Sequence, residues 1–298
     1  MAHVLGHNQY GKAETRVVRI YRDTDPHEIV DYNVSAALSG DFADTHLSGD
    51  NAAVLTTDAV KNTVNAFAKE HGEAARHPES YGLALARHFV EDVPQVTQAR
   101  VKLESYPWQR LDAGGTPHPH AFVRSGQYVR TASVTYTDGR PWIVSGLRDL
   151  VVLKSTDSEF WGFYQDRYTT LKPTNDRVMA TSVSAQWWHT TDDVDWAKSF
   201  DSARAAMCEA FAQSHSLALQ QTMFEMGGAV LDAVPSVAEV RFSLPNKHHF
   251  VIDLSPFGLE NPNEVFHADD RPYGLIEGTV RRDDAADPGP AFDPGQGW

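Results

Sequence analysis

The second half of the chain repeats the pattern of the first half, and this duplication limits the possible folds more than any other feature. A Val-Pro-x-Val motif occurs at residues 93–96 and again at 234–237, and a strand-like segment starts three residues after each copy. An Ala-Phe-Ala triplet precedes each motif, at residues 66–68 and 210–212, within a helix-like segment. Three matched elements in corresponding order predict a duplicated domain.

Hydrophobic periodicity gives each half the order β-β-α-α-β-β. The first half contains predicted strands at 13–22 and 28–38, helices at 58–69 and 79–91, and strands at 96–103 and 122–136. The second half contains predicted strands at 147–154 and 178–188, helices at about 195–214 and 217–234, and strands at 239–244, 248–254 and 275–281. Strands that flank paired helices predict an α+β fold, with an antiparallel sheet covered by helices on one face.

The repeat also predicts the domain boundaries. We expect a first domain at residues 1–139, a second at 140–282, and a tail at 283–298. The tail is rich in Pro, Gly and Asp, a composition typical of disordered segments. An open antiparallel sheet leaves edges that must be covered or paired, so the pattern also favours an oligomer.

Composition excludes several classes of function. The net charge of −14 argues against a nucleic-acid or anionic-membrane partner, because both need a basic surface. Cys208 is the single cysteine, so no intrachain disulfide can form. We found no signal peptide, no apolar run long enough to span a bilayer and no peroxisomal address in the final residues PGQGW, so we expect a cytoplasmic protein.

Residues 150–177 hold the most informative local pattern. An apolar run at 150–153 leads into Lys-Ser-Thr, then into five aromatic residues between 160 and 168, and the stretch ends at Arg177. Flat aromatic faces beside a guanidinium suit a flat, anionic, hydrogen-bonding ligand.

The spacing of this stretch resembles the signature of the urate oxidases (uricases). The matching positions are Leu150, Val152, Leu153, Lys154, Ser155, Thr156, Ser158, Phe160, Phe163, Tyr168, Leu171 and Arg177. Further matching blocks are Tyr10-Gly11-Lys12, Thr57-Asp58, Gln220, Ser243 to His248, and Tyr273-Gly274-Leu275-Ile276. The resemblance implies two tandem tunnelling-fold (T-fold) domains, assembled as a barrel-like homotetramer with active sites at subunit interfaces. It also implies oxidation of urate by O2 and water, without a cofactor, to 5-hydroxyisourate and hydrogen peroxide.

The resemblance assigns substrate contacts as well. Arg177 and Gln220 are expected to grip the rim of the purine, and Phe160 to stack on its plane. A guanidinium fork and a side-chain amide together match alternating carbonyl and N–H groups. The full set implied to bind urate is Thr57, Asp58, Phe160, Arg177, Leu219, Gln220 and Asn246, with Leu171 and Ile276 lining the pocket.

Lys12, Thr57 and His248 resemble the catalytic triad of the family, with Thr57 supplied by a neighbouring subunit. A lysine that relays a proton through a threonine hydroxyl can act as a general base, and a histidine can orient it. Plainer interpretations remain for single residues. Thr57 precedes a helical pattern and could be only an N-cap, and Asn246 follows Pro245 and could be a turn residue.

We expect no metal. His118 and His120 lie in a loop without an obvious third ligand, and the adjacent His248 and His249 of a strand point to opposite faces. Two alternatives remain at this point. One is a metal-dependent hydrolase that acts on a pterin or nucleotide, and the other is a T-fold protein that binds purines or pterins without chemistry.

Overall fold

The computed structural model describes residues 3–294 of the chain. Their contacts divide them into two compact units that interleave along the sequence. The first unit takes its described residues from within Met1–Gly146, Trp187–Ser199 and Ala286–Trp298, and the second comprises Leu147–Gln186 and Phe200–Ala285. None of the helices among the described residues is both long and apolar enough to cross a lipid bilayer.

The first unit is built on antiparallel strands that follow one another in the sheet. Its strands are β1 (Tyr10–Tyr21), β2 (Glu28–Gly40), β3 (Val96–Ser105), β4 (Trp108–Ala113), β5 (Thr116–Arg124) and β6 (Val129–Thr137). Its helices are α1 (Ala43–Leu47), α2 (Thr57–Glu70) and α3 (Pro78–Glu91), and a 3-10 turn spans Ala74–Arg76. The order in the sheet is β1-β2-β3-β6, while β4 and β5 form a separate two-stranded hairpin.

The core of the first unit lies between its sheet and its helices. Every second residue of β2 points into it, as Val34, Ala36 and Leu38 show, because side chains alternate across a strand. Val60 and Val64 of α2 are buried against the same cluster, one helical turn apart. The apolar spacing in the sequence therefore accounts for the layer of helices on one face.

The second unit repeats this arrangement. It draws on β7 (Arg140–Lys154) and β8 (Met179–His189), which also contribute residues to the first unit, and on α4 (Trp196–Gln213) and α5 (Leu219–Ala233). Its other strands are β9 (Val237–Val251), β10 (Phe266–Asp269) and β11 (Leu275–Arg281), and a 3-10 turn spans Ser255–Phe257. In the sheet, β8 lies between β7 and β9. The first part of β9 pairs with β11, and its last part pairs with β10.

Three predicted elements differ in detail. The predicted strand 122–136 is two strands, β5 and β6, because Gly126 takes a left-handed φ of 82° between them. The predicted strands 239–244 and 248–254 are largely one strand, β9, which runs through Pro245. Residues 118–120, which the sequence places in a loop, lie in β5.

Part of the predicted tail, 283–298, has structure among the described residues. Gly289–Phe292 forms a 3-10 turn with Ala291 buried, and Asp293 accepts a hydrogen bond from Arg100 at 2.9 Å. Arg100 is itself almost fully buried, so its charge requires such a partner. Residues 295–298 of the predicted tail lie outside the described residues. The predicted boundary at 139/140 stays a prediction.

Candidate active site

Phe160 and Arg177 lie on one wall, in the segment between β7 and β8. Phe160 and Thr174 exchange main-chain hydrogen bonds of 2.8 and 3.0 Å. Arg177 donates its main-chain N–H to the carbonyl of Ser158 at 2.9 Å and its Nε–H to Ser158 Oγ at 3.3 Å. The guanidinium carbon then lies 5.1 Å from the centroid of the Phe160 ring. The backbone of the segment thus brings together the aromatic face and the cation that the sequence predicted.

The guanidinium of Arg177 is partly withdrawn from water. Burial lowers its pKa, although an arginine remains charged at any physiological pH. Within residues 3–294, its hydrogen bonds to protein are those to Ser158, and neither terminal nitrogen takes part in them. The two terminal nitrogens are therefore available to form a bidentate hydrogen bond with an anionic ligand.

Gln220 lies in the first turn of α5 and is exposed, while Leu219 before it is buried. The start of this helix is tied to the Arg177 wall. The N–H of Glu159 donates to the carbonyl of Ser216 at 2.7 Å, and Ser216 forms a parallel bridge with Ser158. Thr222 of α5 donates its hydroxyl to Ser216 Oγ at 2.8 Å. One buried pair of serines therefore connects the segment of Arg177 to the helix of Gln220.

Asn246 and His248 lie two residues apart on β9, so their side chains share one face of the strand. Asn246 donates its main-chain N–H to the carbonyl of Gly274, at 2.8 Å. The His248 ring stacks on Phe250, with centroids 5.7 Å apart. Asn246 is therefore a strand residue and not the turn residue that Pro245 suggested.

The last two pocket candidates also lie in the second unit. Ile276 pairs with Leu244 across β9 and β11 and is partly buried. Leu171 is 57% exposed and lies in the same segment as Phe160 and Arg177. The second unit therefore holds every predicted site residue except Lys12, Thr57 and Asp58.

Lys12 lies near the start of β1, opposite Ala36 of β2. The residue before it must be glycine, because a Cβ on Gly11 would lie 1.9 Å from the carbonyl oxygen of Ala36. The pairing of β1 with β2 then shifts between Lys12 and Thr15, where Glu14 takes a φ of 55°. A close strand contact on one side and a bulge on the other fix the position of Lys12.

Thr57 and Asp58 are the first two residues of α2. The N-cap of this helix is Thr56, whose hydroxyl accepts the N–H of Ala59 at 3.1 Å, so the capping role considered for Thr57 belongs to its neighbour. Asp58 accepts hydrogen bonds from Lys61 and Asn62, which lower its pKa, and the charge of Lys12 contributes in the same direction. Lys12, Thr57 and Asp58 thus belong to one unit, with Lys12 close enough to Asp58 for their charges to interact.

Sequence reasoning missed the residues that support this wall. Ser158 belonged to the recognised signature, but nothing in the sequence indicated that Ser216 pairs with it from 58 residues away. His215 had no signal either, although it contacts both Asp157 and Glu159. Such pairings between distant irregular segments leave no periodic pattern to read.

The histidines of the first unit lie closer together than the sequence suggested. The His118 and His120 rings are 4.5 Å apart between centroids, and His27 lies 6.1 Å from His120. Across residues 3–294, however, no group of three or more His, Cys, Asp or Glu side chains is arranged to hold a metal ion.

Comparison with known proteins decides the family. The model of the uricase family matches residues 8–135 and 143–277, which take in most of both units. The chain belongs to the uricase family. The uricase of Arthrobacter globiformis is 51% identical over 280 residues, which cover 94% of this chain and 90% of that protein. The uricase of Dictyostelium discoideum is 38% identical over 278 residues, covering 92% and 96%.

Solved uricase structures agree with the fold. The crystal structure of the Arthrobacter globiformis uricase superposes with a TM-score of 0.92 at 49% identity, covering 96% of this chain and 98% of the other. A uricase from Bacillus fastidious has a TM-score of 0.79 at 20% identity, covering 92% and 93%, and supports the fold alone. The predicted α+β class with tandem T-fold domains is therefore confirmed.

Proposed function

We propose that this member of the uricase family oxidises urate with O2 and water, yielding 5-hydroxyisourate and hydrogen peroxide, without a metal or an organic cofactor. The observation that carries the proposal is the wall of Phe160 and Arg177, within a chain that the uricase family model matches across both units. Neither a metal-dependent pterin hydrolase nor a non-catalytic binding protein is favoured by this combination.

Arg177 and Gln220 form the clamp for the substrate in this proposal. Urate carries a negative charge near neutral pH and presents carbonyl and N–H groups around its rim. The terminal nitrogens of Arg177 donate to two acceptors, and the amide of Gln220 offers one donor and one acceptor to the adjacent edge. A site built in this way rejects analogues that leave these polar groups unpaired in the complex.

Phe160 stacks on the purine plane, and Leu171, Leu219 and Ile276 line the remaining apolar surface. An aromatic ring with a cation close by suits a flat anionic heterocycle, because the ring offers a stacking surface and the guanidinium offers a charged hydrogen-bond donor. Support comes from the interplanar angle of 15° between Phe160 and Phe163, which pack together at 5.0 Å and hold the first ring in one orientation.

The chemistry falls to Lys12, Thr57 and His248. A proton must leave bound urate before the purine can give electrons to O2, and Lys12 takes it through the hydroxyl of Thr57. Thr57 can serve as this relay because Thr56 caps the helix in its place. His248 orients Lys12 in this proposal, and Asp58 lies close enough to Lys12 for their charges to interact.

Asn246 and Thr57 hold the small reactant above the purine. Dioxygen accepts electrons from the deprotonated substrate, peroxide forms at C5, and water then replaces it as hydroxide. The side-chain amide of Asn246 supplies donors for such a small polar ligand. The purine provides both electrons, so the reaction balances as urate, O2 and H2O giving 5-hydroxyisourate and H2O2.

The active form in this proposal is a homotetramer whose sites combine residues of different subunits. Support comes from the surface of the described residues. Strand β1 ends the strand order and exposes Val18 and Ile20, at 52% and 43%. Around the Phe160 segment, Tyr164 and Tyr168 are 90% and 71% exposed. Unpaired strand edges and large exposed aromatic residues are typical of surfaces covered by another chain.

The test is a combined assay on EDTA-treated protein. Urate absorbance and dissolved O2 are followed together, and the proposal predicts that both fall in a one-to-one ratio as hydrogen peroxide appears. Activity that disappears after EDTA and returns with a metal would overturn the cofactor-independent mechanism. Binding of urate without any O2 uptake would leave only the binding-protein alternative.

A further inference from the structure

His215 lies between two carboxylates next to the Arg177 wall. Its Nδ1 contacts Asp157, and its Nε2 lies 2.6 Å from Glu159 Oε1. Glu159 also accepts a hydrogen bond from the indole N–H of Trp161, at 2.5 Å. Both ring nitrogens can donate only when the imidazole is protonated, so this geometry is that of an imidazolium ion.

The same residues carry the main-chain pairing that holds the substrate clamp. Ser216, next to His215, donates its N–H to the carbonyl of Asp157 at 3.1 Å and accepts the N–H of Glu159 at 2.7 Å. Ser158, between the two carboxylates, accepts both hydrogen bonds from Arg177. The contacts of His215 with Asp157 and Glu159 therefore flank the Ser158–Ser216 bridge, which joins the Arg177 segment to the start of α5.

We propose that His215, as an imidazolium, is a positioning residue that keeps Arg177 and Gln220 at a fixed separation around the bound anion. The inference rests on the proposed function, because it assigns a task to a residue outside the urate contacts. His215 is not among the residues that the proposal assigns to urate or to the chemistry. It acts through Asp157 and Glu159 on the backbone that carries the clamp.

A purely stabilising role fits the exposure of these groups less well. His215 and Asp157 are each about half exposed, at 50% and 52%, while Glu159 is 18% exposed. Solvent screening makes ion pairs of an exposed histidine weak contributors to stability. Their removal should therefore change the free energy of unfolding little. A change in the spacing of two ligand-binding groups, in contrast, acts directly on affinity.

The charges around His215 also favour binding of an anion when the imidazole is protonated. With the imidazolium present, its cluster with Asp157 and Glu159 carries one net negative charge, and without the proton it carries two. Two cations lie nearby, Arg177 and Lys154, and Lys154 donates to the carbonyl of Ser214. Asp176, which accepts a hydrogen bond from Thr156, is a further anion. Deprotonation of His215 thus places an additional negative charge beside a site for an anion.

The pH dependence follows from the sign of these interactions. The two carboxylates raise the pKa of His215 above its ordinary value, chiefly through their hydrogen bonds. The imidazolium contacts are present below the ordinary histidine pKa and are lost as pH rises through the raised value. We expect KM for urate to increase through that transition while kcat changes little.

The first experiment compares His215→Gln with His88→Gln. His88 is a matched control, because it is another carboxylate-paired histidine, 2.7 Å from Asp92 on a helix of the other unit. At neutral pH we expect His215→Gln to raise KM about fivefold or more, with kcat within about twofold of the parent. The control should match the parent in both constants. An unchanged KM in His215→Gln, with the pH transition intact, would overturn the proposal.

The second variant is Glu159→Gln, which keeps His215 but removes one of its charged partners. Its pH transition in KM should move to lower pH, since one of the groups that raise the pKa is gone. Should His215→Gln fail to fold, this shift still tests the proposal, and a transition at the parent pH would contradict it.

Binding of xanthine by calorimetry separates this inference from the proposed function. Xanthine is a planar purine dione, so it probes the clamp independently of turnover. If the parent protein oxidises urate but His215→Gln leaves xanthine affinity unchanged, the positioning role alone is refuted. If the parent protein binds xanthine and this binding depends on His215, but urate causes no O2 uptake, the proposed function is refuted instead.

Discussion

Arg177 makes two hydrogen bonds to Ser158, one from its main-chain N–H at 2.9 Å and one from its Nε at 3.3 Å. Ser158 is fully buried, and it also bridges to Ser216 ahead of α5. Ser158 thus fixes both the backbone and the side chain of Arg177, the residue that we propose binds urate.

Replacement of Ser158 by alanine should weaken substrate binding. The variant keeps the main-chain bond but loses the side-chain bond, worth ~1 kcal/mol, so KM should rise about fivefold. Steady-state kinetics check this result. Ser48→Ala, at an exposed position after α1, serves as the control, and equal KM values in the two variants would contradict the role of Ser158.

Replacement of Gly11 by alanine should damage both stability and activity. The added methyl would lie 1.9 Å from the carbonyl oxygen of Ala36, so β1 must move away from β2 and carry Lys12 with it. We expect a lower Tm in thermal unfolding and a reduced kcat.

Gly228→Ala provides the matched comparison. A Cβ there meets nothing within 4 Å, and the residue lies inside α5. Alanine favours the helix by up to ~1 kcal/mol over glycine, so Tm should stay level or rise. A Gly11→Ala protein as stable as Gly228→Ala would show that the close strand contact is not required.

Thr56 and Thr57 should separate stability from chemistry. Thr56→Ala removes the N-cap of α2 and should lower stability by ~1 kcal/mol with turnover retained. Thr57→Val keeps the cap but removes the proposed proton relay, so kcat should fall with little change in Tm. Denaturant unfolding and O2 uptake, measured on both variants, check the contrast; the opposite pairing of effects would refute it.

Acid should destabilise the first unit through His189. Burial, helped by the nearby charge of Arg130, lowers the pKa of His189 to about 3. The unfolded chain therefore binds a proton that the folded chain does not over the range between about 3 and the ordinary histidine value. Stability is lost as pH falls through this window.

His189→Gln tests this expectation, because glutamine is polar but does not titrate. Thermal unfolding between pH 6.5 and 4.5 should show a shallower loss of Tm in the variant than in the parent. Parallel slopes would mean that other groups account for the acid sensitivity.

The regular parts of the fold were predictable because they repeat. The alternation in β2 and the helical spacing in α2 each bury one face, and the sequence displays that period directly. Most of the β4–β5 hairpin, apart from residues 122–124, was missed, because its residues are mostly exposed and carry no clear apolar alternation. The turn expected at Pro245 failed for another reason: the pairing with β11 carries β9 through the proline.

The site divides in the same way. Phe160 and Arg177 could be placed on one wall because the resemblance spans that stretch, and the structure brings their side chains together. The bridge from Ser158 to Ser216 and the position of His215 depend on contacts between segments far apart in sequence. No local pattern specifies such contacts.

The most direct test of the proposed mechanism is O2 uptake with urate by Lys12→Met beside Lys69→Met. Lys69 is an exposed lysine of α2, so its variant controls for the loss of one positive charge. Lys12→Met should still bind urate but lose kcat by about a hundredfold or more, the range for removal of a general base, while Lys69→Met keeps parental turnover. Full turnover by Lys12→Met would contradict the account.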